Sequence, residues 1–196
     1  MSTEYRGAML IGLVISLVLV SAPLFAADEP ASVAVHVRLL NAAKVPRAPI
    51  EQAAQQVTRI YAEAGIHIVW EVDAPSPSGG SMVRDVVLLS PAMADRLVIV
   101  EGVAPRVLGL AGRAGNRAFI FTERITASAA HLGVDDADAL GVVIAHELGH
   151  LLLPSSGHSP TGLMQSGYEF RNRSARRFTP AQADAIRQGL VHEQPW

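Results

Sequence analysis

The sequence contains no cysteine, which excludes disulfides, thiolate metal ligands and a cysteine nucleophile. Stability in an oxidising compartment then rests on one packed core. Aromatic residues make up only 5%, and neither sign of charge dominates: 16 Lys and Arg stand against 18 Asp and Glu. Such a composition provides neither a basic face for nucleic acid nor a platform for stacking bases, so no nucleic-acid partner is expected. Internal repeats and a second long linker are also missing, and 196 residues that are 49% hydrophobic suit a single globular domain. Any metal site must be built from histidine and carboxylate, and any covalent catalysis from a hydroxyl, amine or carboxylate.

Charge is absent as well from Gly7 to Ala27, whose centre, Ala8 to Val20, is mostly Leu, Val, Ile and Met. Arg6 precedes this run, and Pro23, Ala26 and Ala27 close it, the order of an export signal cut near Ala26 or Ala27. Glu4 offsets Arg6, and Leu24 with Phe25 interrupts the small-residue pattern before the cut. A run of roughly 20 apolar residues also suffices to cross a bilayer. Residues 1–27 are therefore read as a signal peptide or an N-terminal membrane anchor, with both outcomes open. Either places residues 28–196, one domain, outside the cytoplasm, as a periplasmic, secreted or membrane-anchored protein.

Downstream, alternation and Val content predict a strand from Ser32 to Leu40, followed by a turn-rich link, Asn41 to Pro49. Ile50, Ala54, Val57, Ile60 and Tyr61 make one apolar helical face over Ile50 to Ala64, with Pro49 in the first turn and Gly65 as the stop. Ile66 to Val72 and Val83 to Leu89 read as strands flanking a surface loop, Asp73 to Ser81. Pro91 to Arg96 reads as one helical turn, Leu97 to Val100 and Val107 to Leu110 as weak strands, and Arg117 to Phe121 as a strand. Gly109, Gly112 and Gly115 form a loose stretch without the spacing of a phosphate-binding loop. From Val134 the pattern is helical, with Asp135, Asp136 and Asp138 at its start and an apolar run to Leu153 before Pro154. A loop from Ser155 to Gly167 leads to a last helix opening at Thr179 and Pro180 and ending at Gly189. The expected class is α+β, a mixed twisted sheet with a backing helix, an active-site helix and a C-terminal helix.

The informative string is His146, Glu147, Leu148, Gly149, His150, inside the long helix. Residues four apart share a helical face, so two neutral imidazoles can face one Zn²⁺ while Glu147 reaches a water that the metal activates. Zinc lowers the pKa of that water and polarises a carbonyl, and the glutamate takes the proton and passes it to a leaving amine. A third ligand is needed. His158 follows beyond a chain reversal through Pro154 to Gly157, and three histidines leave the fourth position open, the arrangement of catalytic zinc. Glu169 is the alternative third ligand, without the helical context such glutamates use.

His146, Glu147, His150, His158 and Met164 resemble the signature of the metzincin clan of zinc peptidases: a helical H-E-x-x-H, a turn, a third histidine and a methionine turn. The resemblance implies that Gly162, Leu163 and Met164 form that turn, with Met164 as an apolar floor under the metal. The clan's usual third histidine falls at Ser156 and its turn glycine at Leu153; here His158 comes two residues later, carried by a longer loop. This variant also resembles small exported bacterial proteins described no further than as peptidase-like. The resemblance implies a cleft in which an edge strand pairs with an extended peptide, and Arg117 to Phe121 is the expected strand. Tyr168, four residues after Met164, resembles the tyrosine that follows the methionine turn in some metzincins and is a candidate for assisting the oxyanion; a half-buried anchor is its plainer reading.

Arg171, Arg173, Arg176 and Arg177 form the one basic cluster, a solvated face or a contact for an acidic peptide or anionic membrane. His36, His67, His131 and His192 lack ligand spacing, and Ser155, Ser156 and Ser159 have no base of their own. The expected function is a monomeric, exported, Zn²⁺-dependent endopeptidase acting on peptides or proteins. The competing readings are a non-catalytic zinc-binding envelope protein and a signal-anchored interaction domain whose histidines are incidental.

Overall fold

The computed structural model describes residues 33–72, 83–155 and 157–193. The expected leader, the loop from Asp73 to Ser81, and Ser156 lie outside the described residues. Among the described residues no helix is long and apolar enough to cross a membrane.

Strand β1 (Val33–Asn41) is the centre of one side of a five-stranded sheet. Its alternation buries Val35, Val37 and Leu39 on one face, the period-two pattern of a strand. Helix α1 (Arg47–Ala62) links it to β2 (Ile66–Val72), which pairs parallel with it, and β3 (Arg84–Leu88) pairs parallel on its other side. Helix α2 (Pro91–Glu101) follows, then β4 (Gly109–Gly112) and β5 (Arg117–Ile120). β5 lies parallel to β3 and β4 antiparallel to β5, giving the order β2-β1-β3-β5-β4. The class is thus the expected one, with a mixed and mostly parallel sheet.

Three further helices complete the domain: α3 (Thr122–Leu132), α4 (Asp136–Leu152) and α5 (Pro180–Glu193). α1 and α4 pack together over one face of the sheet. Gly141 allows their approach, because a Cβ there would stand 2.8 Å from Gln56 Cβ and 3.0 Å from the Ala53 carbonyl oxygen. On the opposite face α2 lays Leu97 and Val98 against Val87, Leu89 and Phe121. Beside it, buried Asp85 accepts from Arg38 at 2.9 Å on both carboxylate oxygens and from Arg117 Nη2 at 2.9 Å. These residues are register partners on β1, β3 and β5, so a one-residue slip of any strand would strand a buried charge.

Several sequence expectations are corrected. Leu97 to Val100 is helix rather than strand: Ser90 caps α2 by accepting from the Met93 amide, Pro91 occupies its first turn, and Gly102 ends it at φ +63°. The apolar run that resembled a strand is a helix resting on a sheet. α3 carried no expectation at all; its face, Ile125 and Ala129, is two small turns of burial. β4 begins at Gly109, two residues later than Val107, in the stretch read as loose. α1 starts at Arg47, before Pro49, and α5 passes through Gly189 to Glu193, an isolated helical glycine being tolerated at about 1 kcal/mol.

Candidate metal centre

The centre begins with the local chemistry of α4. Asp135 caps it, accepting from the Asp138 amide at 2.9 Å, and Asp136 and Asp138 sit in the first turn, favoured by the helix dipole. The rest of the helix is buried almost without interruption, and Tyr61 anchors it by donating to the Ala145 carbonyl at 3.0 Å. His146, Glu147 and His150 are 2%, 3% and 8% exposed; buried polar groups of this kind need partners. Pro154 cannot continue the helix, and the chain turns back.

That reversal carries His158 to the helix. Nε2 of His150 lies 3.0 Å from Nε2 of His146 and 3.3 Å from Nε2 of His158. The return loop is tied down at several points. Ser159 donates its amide to the Met164 carbonyl at 2.8 Å, Gln182 Nε2 donates to Ser159 Oγ at 2.8 Å, and the Leu163 amide donates to the Arg177 carbonyl at 2.7 Å. Met164, 1% exposed, lies under α4 against Gly149, where a Cβ would stand 2.5 Å from its Sδ. The glycine inside the motif is thus the seat of the methionine.

The three imidazoles fit a divalent cation. His146 Nδ1 donates to the Leu163 carbonyl at 2.7 Å, leaving the Nε2 lone pair turned to the other two rings. Burial, foremost, lowers the pKa of both His146 and His150 to about 4, so both are neutral, the ligating form. Tetrahedral zinc–nitrogen bonds of 2.0–2.1 Å place ligand nitrogens about 3.3 Å apart, close to the 3.0 and 3.3 Å from His150 to the other two. Among the described residues these three form the group of histidine and carboxylate donors able to share an ion. Glu169 is not part of it, nor are His36, His67, His131 and His192.

Glu147 lies beside this group. Burial, foremost, pushes its pKa up to about 7, while the Tyr168 hydroxyl and the Ala111 backbone amide hydrogen-bond the carboxylate and pull it down. Tyr168 donates to Glu147 Oε1 at 2.6 Å, its ring 4.9 Å from that of His146 and stacked on Phe170. Burial and the neighbouring carboxylate raise the Tyr168 pKa well above its ordinary value, so the hydroxyl keeps its proton. Against the other side of Glu147 runs β4: a Cβ on Gly109 would stand 2.4 Å from Glu147 Cγ. All of these line a cleft of about 790 Å³.

The edge of the sheet is therefore not where the sequence placed it. Arg117 to Ile120 is β5, paired on both sides; the edge beside the histidines is β4. Phe121 donates to the Leu108 carbonyl, so by antiparallel alternation Gly109 and Ala111 turn their backbone groups away from β5. Gly109, Ala111 and Gly149 were not singled out as site residues, and glycine spacing is their one trace in the sequence. In the arginine cluster, Arg177 pairs with Glu63 at 2.9 Å, Arg176 lies 3.9 Å from Asp138, and Arg171 donates to the Leu132 carbonyl.

No family model matches the chain, and no curated protein matches it. Solved structures do. Archaemetzincin from Methanopyrus kandleri aligns over 83% of this chain and 99% of its own, with a TM-score of 0.54 and 14% sequence identity. The solution structure of TM1509 from Thermotoga maritima aligns over 80% of this chain and 88% of its own, at a TM-score of 0.40 and 12% identity. At such identity the first likeness speaks for the fold. The chain is similar in fold to archaemetzincin, and its three converging histidines can hold a metal ion.

Proposed function

We propose that the chain is an exported zinc metallopeptidase of metzincin type, acting as a monomer on peptide or protein substrates. The observation that carries this reading is the convergence of three histidine Nε2 atoms beside the carboxylate of Glu147, at the floor of an open cleft bounded by an edge strand. His146, His150 and His158 would hold the ion; three imidazole nitrogens with an open fourth position favour zinc. Bound there, Zn²⁺ polarises a substrate carbonyl and makes water acidic enough to attack it near neutral pH.

The remaining work belongs to the chain. The outward amide and carbonyl of Gly109 and the outward carbonyl of Ala111, whose amide serves Glu147, would pair with an extended substrate and lay its scissile bond over the histidines. Glu147 accepts a proton from the attacking water at a carboxylate oxygen and delivers it to the leaving amine. Tyr168 fixes the orientation of that carboxylate with its one hydroxyl proton, and would turn that proton to the oxyanion once Glu147 has taken up the proton of the water. The low exposure of His146 and Glu147 keeps bulk water from screening these interactions. Export is supported by the apolar leader, residues 1–27.

Metal analysis and a cleavage assay test this together. One zinc per chain is expected, lost in His150→Ala. Casein or peptide cleavage is expected to vanish in Glu147→Ala with zinc retained. A wild-type protein that takes up no zinc overturns the proposal.

A further inference from the structure

Apart from Glu147, the Arg, Lys, Asp and Glu side chains lining the cleft are all arginines. Arg106, Arg113 and Arg124 face it, and among its lining residues Glu147 is the sole carboxylate. Arg113 donates from Nη1 to the Pro154 carbonyl at 2.9 Å. Arg124 donates to the carbonyls of Ala104 and Val107 at 3.0 and 2.8 Å and lies over the Phe121 ring, 4.2 Å from its centroid. These bonds fix the two guanidiniums without neutralising them, since carbonyl oxygens carry no net charge. Arg106 is exposed and has no hydrogen bond or ion pair among the described residues.

Their placement along the chain matters as much as their charge. β4 spans Gly109–Gly112, Arg106 precedes it by three residues and Arg113 follows it directly. Four strand residues cover roughly 13 Å, so a peptide paired with this edge passes one cation as it enters and another as it leaves. The histidines carry no negative charge to offset these cations, and a divalent ion held by them would add to the positive field. Some cations elsewhere on the surface are answered by carboxylates, Arg177 by Glu63 and Arg187 by Asp184.

We propose that the cleft selects anionic peptides, with acidic side chains on either side of the bound segment, and that Arg106 is a specificity-determining residue. Turnover of such peptides rests on the peptidase reading above; their binding does not. The three guanidiniums attract and orient the chain by its carboxylates, while backbone pairing on β4 supplies registration.

The test compares two peptide libraries of matched shape, one with Asp and Glu at the randomised positions and one with Asn and Gln, on the zinc-loaded full chain. The acidic library should show a kcat/KM about tenfold higher, carried by KM and shrinking as salt is raised from low to physiological strength. Arg106→Glu should abolish or reverse the preference, whereas Arg96→Gln, on α2 and away from the cleft, should preserve it. Equal kcat/KM for both libraries, or a preference untouched by Arg106→Glu, overturns the proposal. If neither library is cleaved, the peptidase reading fails, and anisotropy with labelled peptides decides this one. Acidic peptides binding about tenfold tighter, with the difference lost in Arg106→Glu and shrinking with salt, support it, and equal affinities overturn it.

Discussion

The centre is assembled from two regions that differ in how they are held. One half, His146, Glu147 and His150, belongs to α4 and is buried in the core. The other half, His158, Met164 and Tyr168, belongs to the return loop, where His158 is exposed and Met164 is fully buried. In the first, backbone hydrogen bonds and packing fix the side chains together, so their spacing is a property of the helix. In the second, position depends on separate ties to α4, α5 and the Arg177 carbonyl. A rigid half and a tethered half imply different responses to the same disturbance, and that difference can be measured.

Metal removal should separate them most. Anything that binds only the folded chain stabilises it by RT ln(1 + [L]/Kd), about 4 kcal/mol at a thousand times Kd, so chelation is expected to lower Tm by several degrees. During the same titration, limited proteolysis should open residues 157–168 while α4 stays protected. Equal protection of loop and helix after chelation would break the distinction.

The next effect comes from the edge strand that braces the rigid half. Gly109→Ala puts a methyl group 2.4 Å from Glu147 Cγ, and the glutamate has to move because β4 cannot retreat from β5. A displacement near 1 Å of a reacting group costs about 100-fold in rate. kcat should fall by that order with zinc stoichiometry intact, and unchanged kcat would show that Glu147 does not depend on the strand. Tyr168→Phe acts on the same carboxylate from the loop side. It removes one hydrogen bond to the carboxylate, worth about 1.5 kcal/mol at the lower end for a charged acceptor because the carboxylate keeps its bond from Ala111, so kcat should fall about tenfold, less than for Gly109→Ala.

The two halves also differ in how far the sequence revealed them. His146, Glu147 and His150 could be placed on one face because a helix has one period, and Asp135 and Pro154 marked its ends. His158 could be named because turn formers precede it, yet the bonds that hold it, from Gln182 to Ser159 and from Leu163 to Arg177, join residues far apart in sequence and leave no local pattern. β1 and β2 were legible through alternation, as was the class of the sheet. β4 was not: two of its four residues are glycine, and the property that makes it useful, room for Glu147 to lie against its backbone, is the absence of a side chain. α2 failed for a different reason, since Leu97 to Val100 reads equally as a short strand and as a helix packed on a sheet. The order of strands, which puts β4 rather than β5 at the edge, is a tertiary fact with no spacing to announce it.

The smallest expected effect tests whether the tethers themselves position a ligand. Gln182 has two separable ends: its Oε1 accepts from the Thr179 amide at 2.8 Å, closing the cap of α5, and its Nε2 donates to Ser159 Oγ at 2.8 Å, one residue from His158, and to the Thr161 carbonyl at 3.5 Å. Gln182→Ala loses both, so stability should drop by about 1 kcal/mol, the usual worth of a cap, and zinc should bind several-fold more weakly because His158 must be ordered from a looser loop. Gln182→Glu keeps the acceptor for Thr179 and loses the donor to Ser159 and the Thr161 carbonyl. It should therefore recover the stability and leave the zinc affinity low. If instead affinity recovers together with stability, the cap alone holds the loop in place, and if neither variant changes zinc binding, the turn from Ser159 to Met164 is rigid enough by itself to make the tethered half as fixed as the helical one.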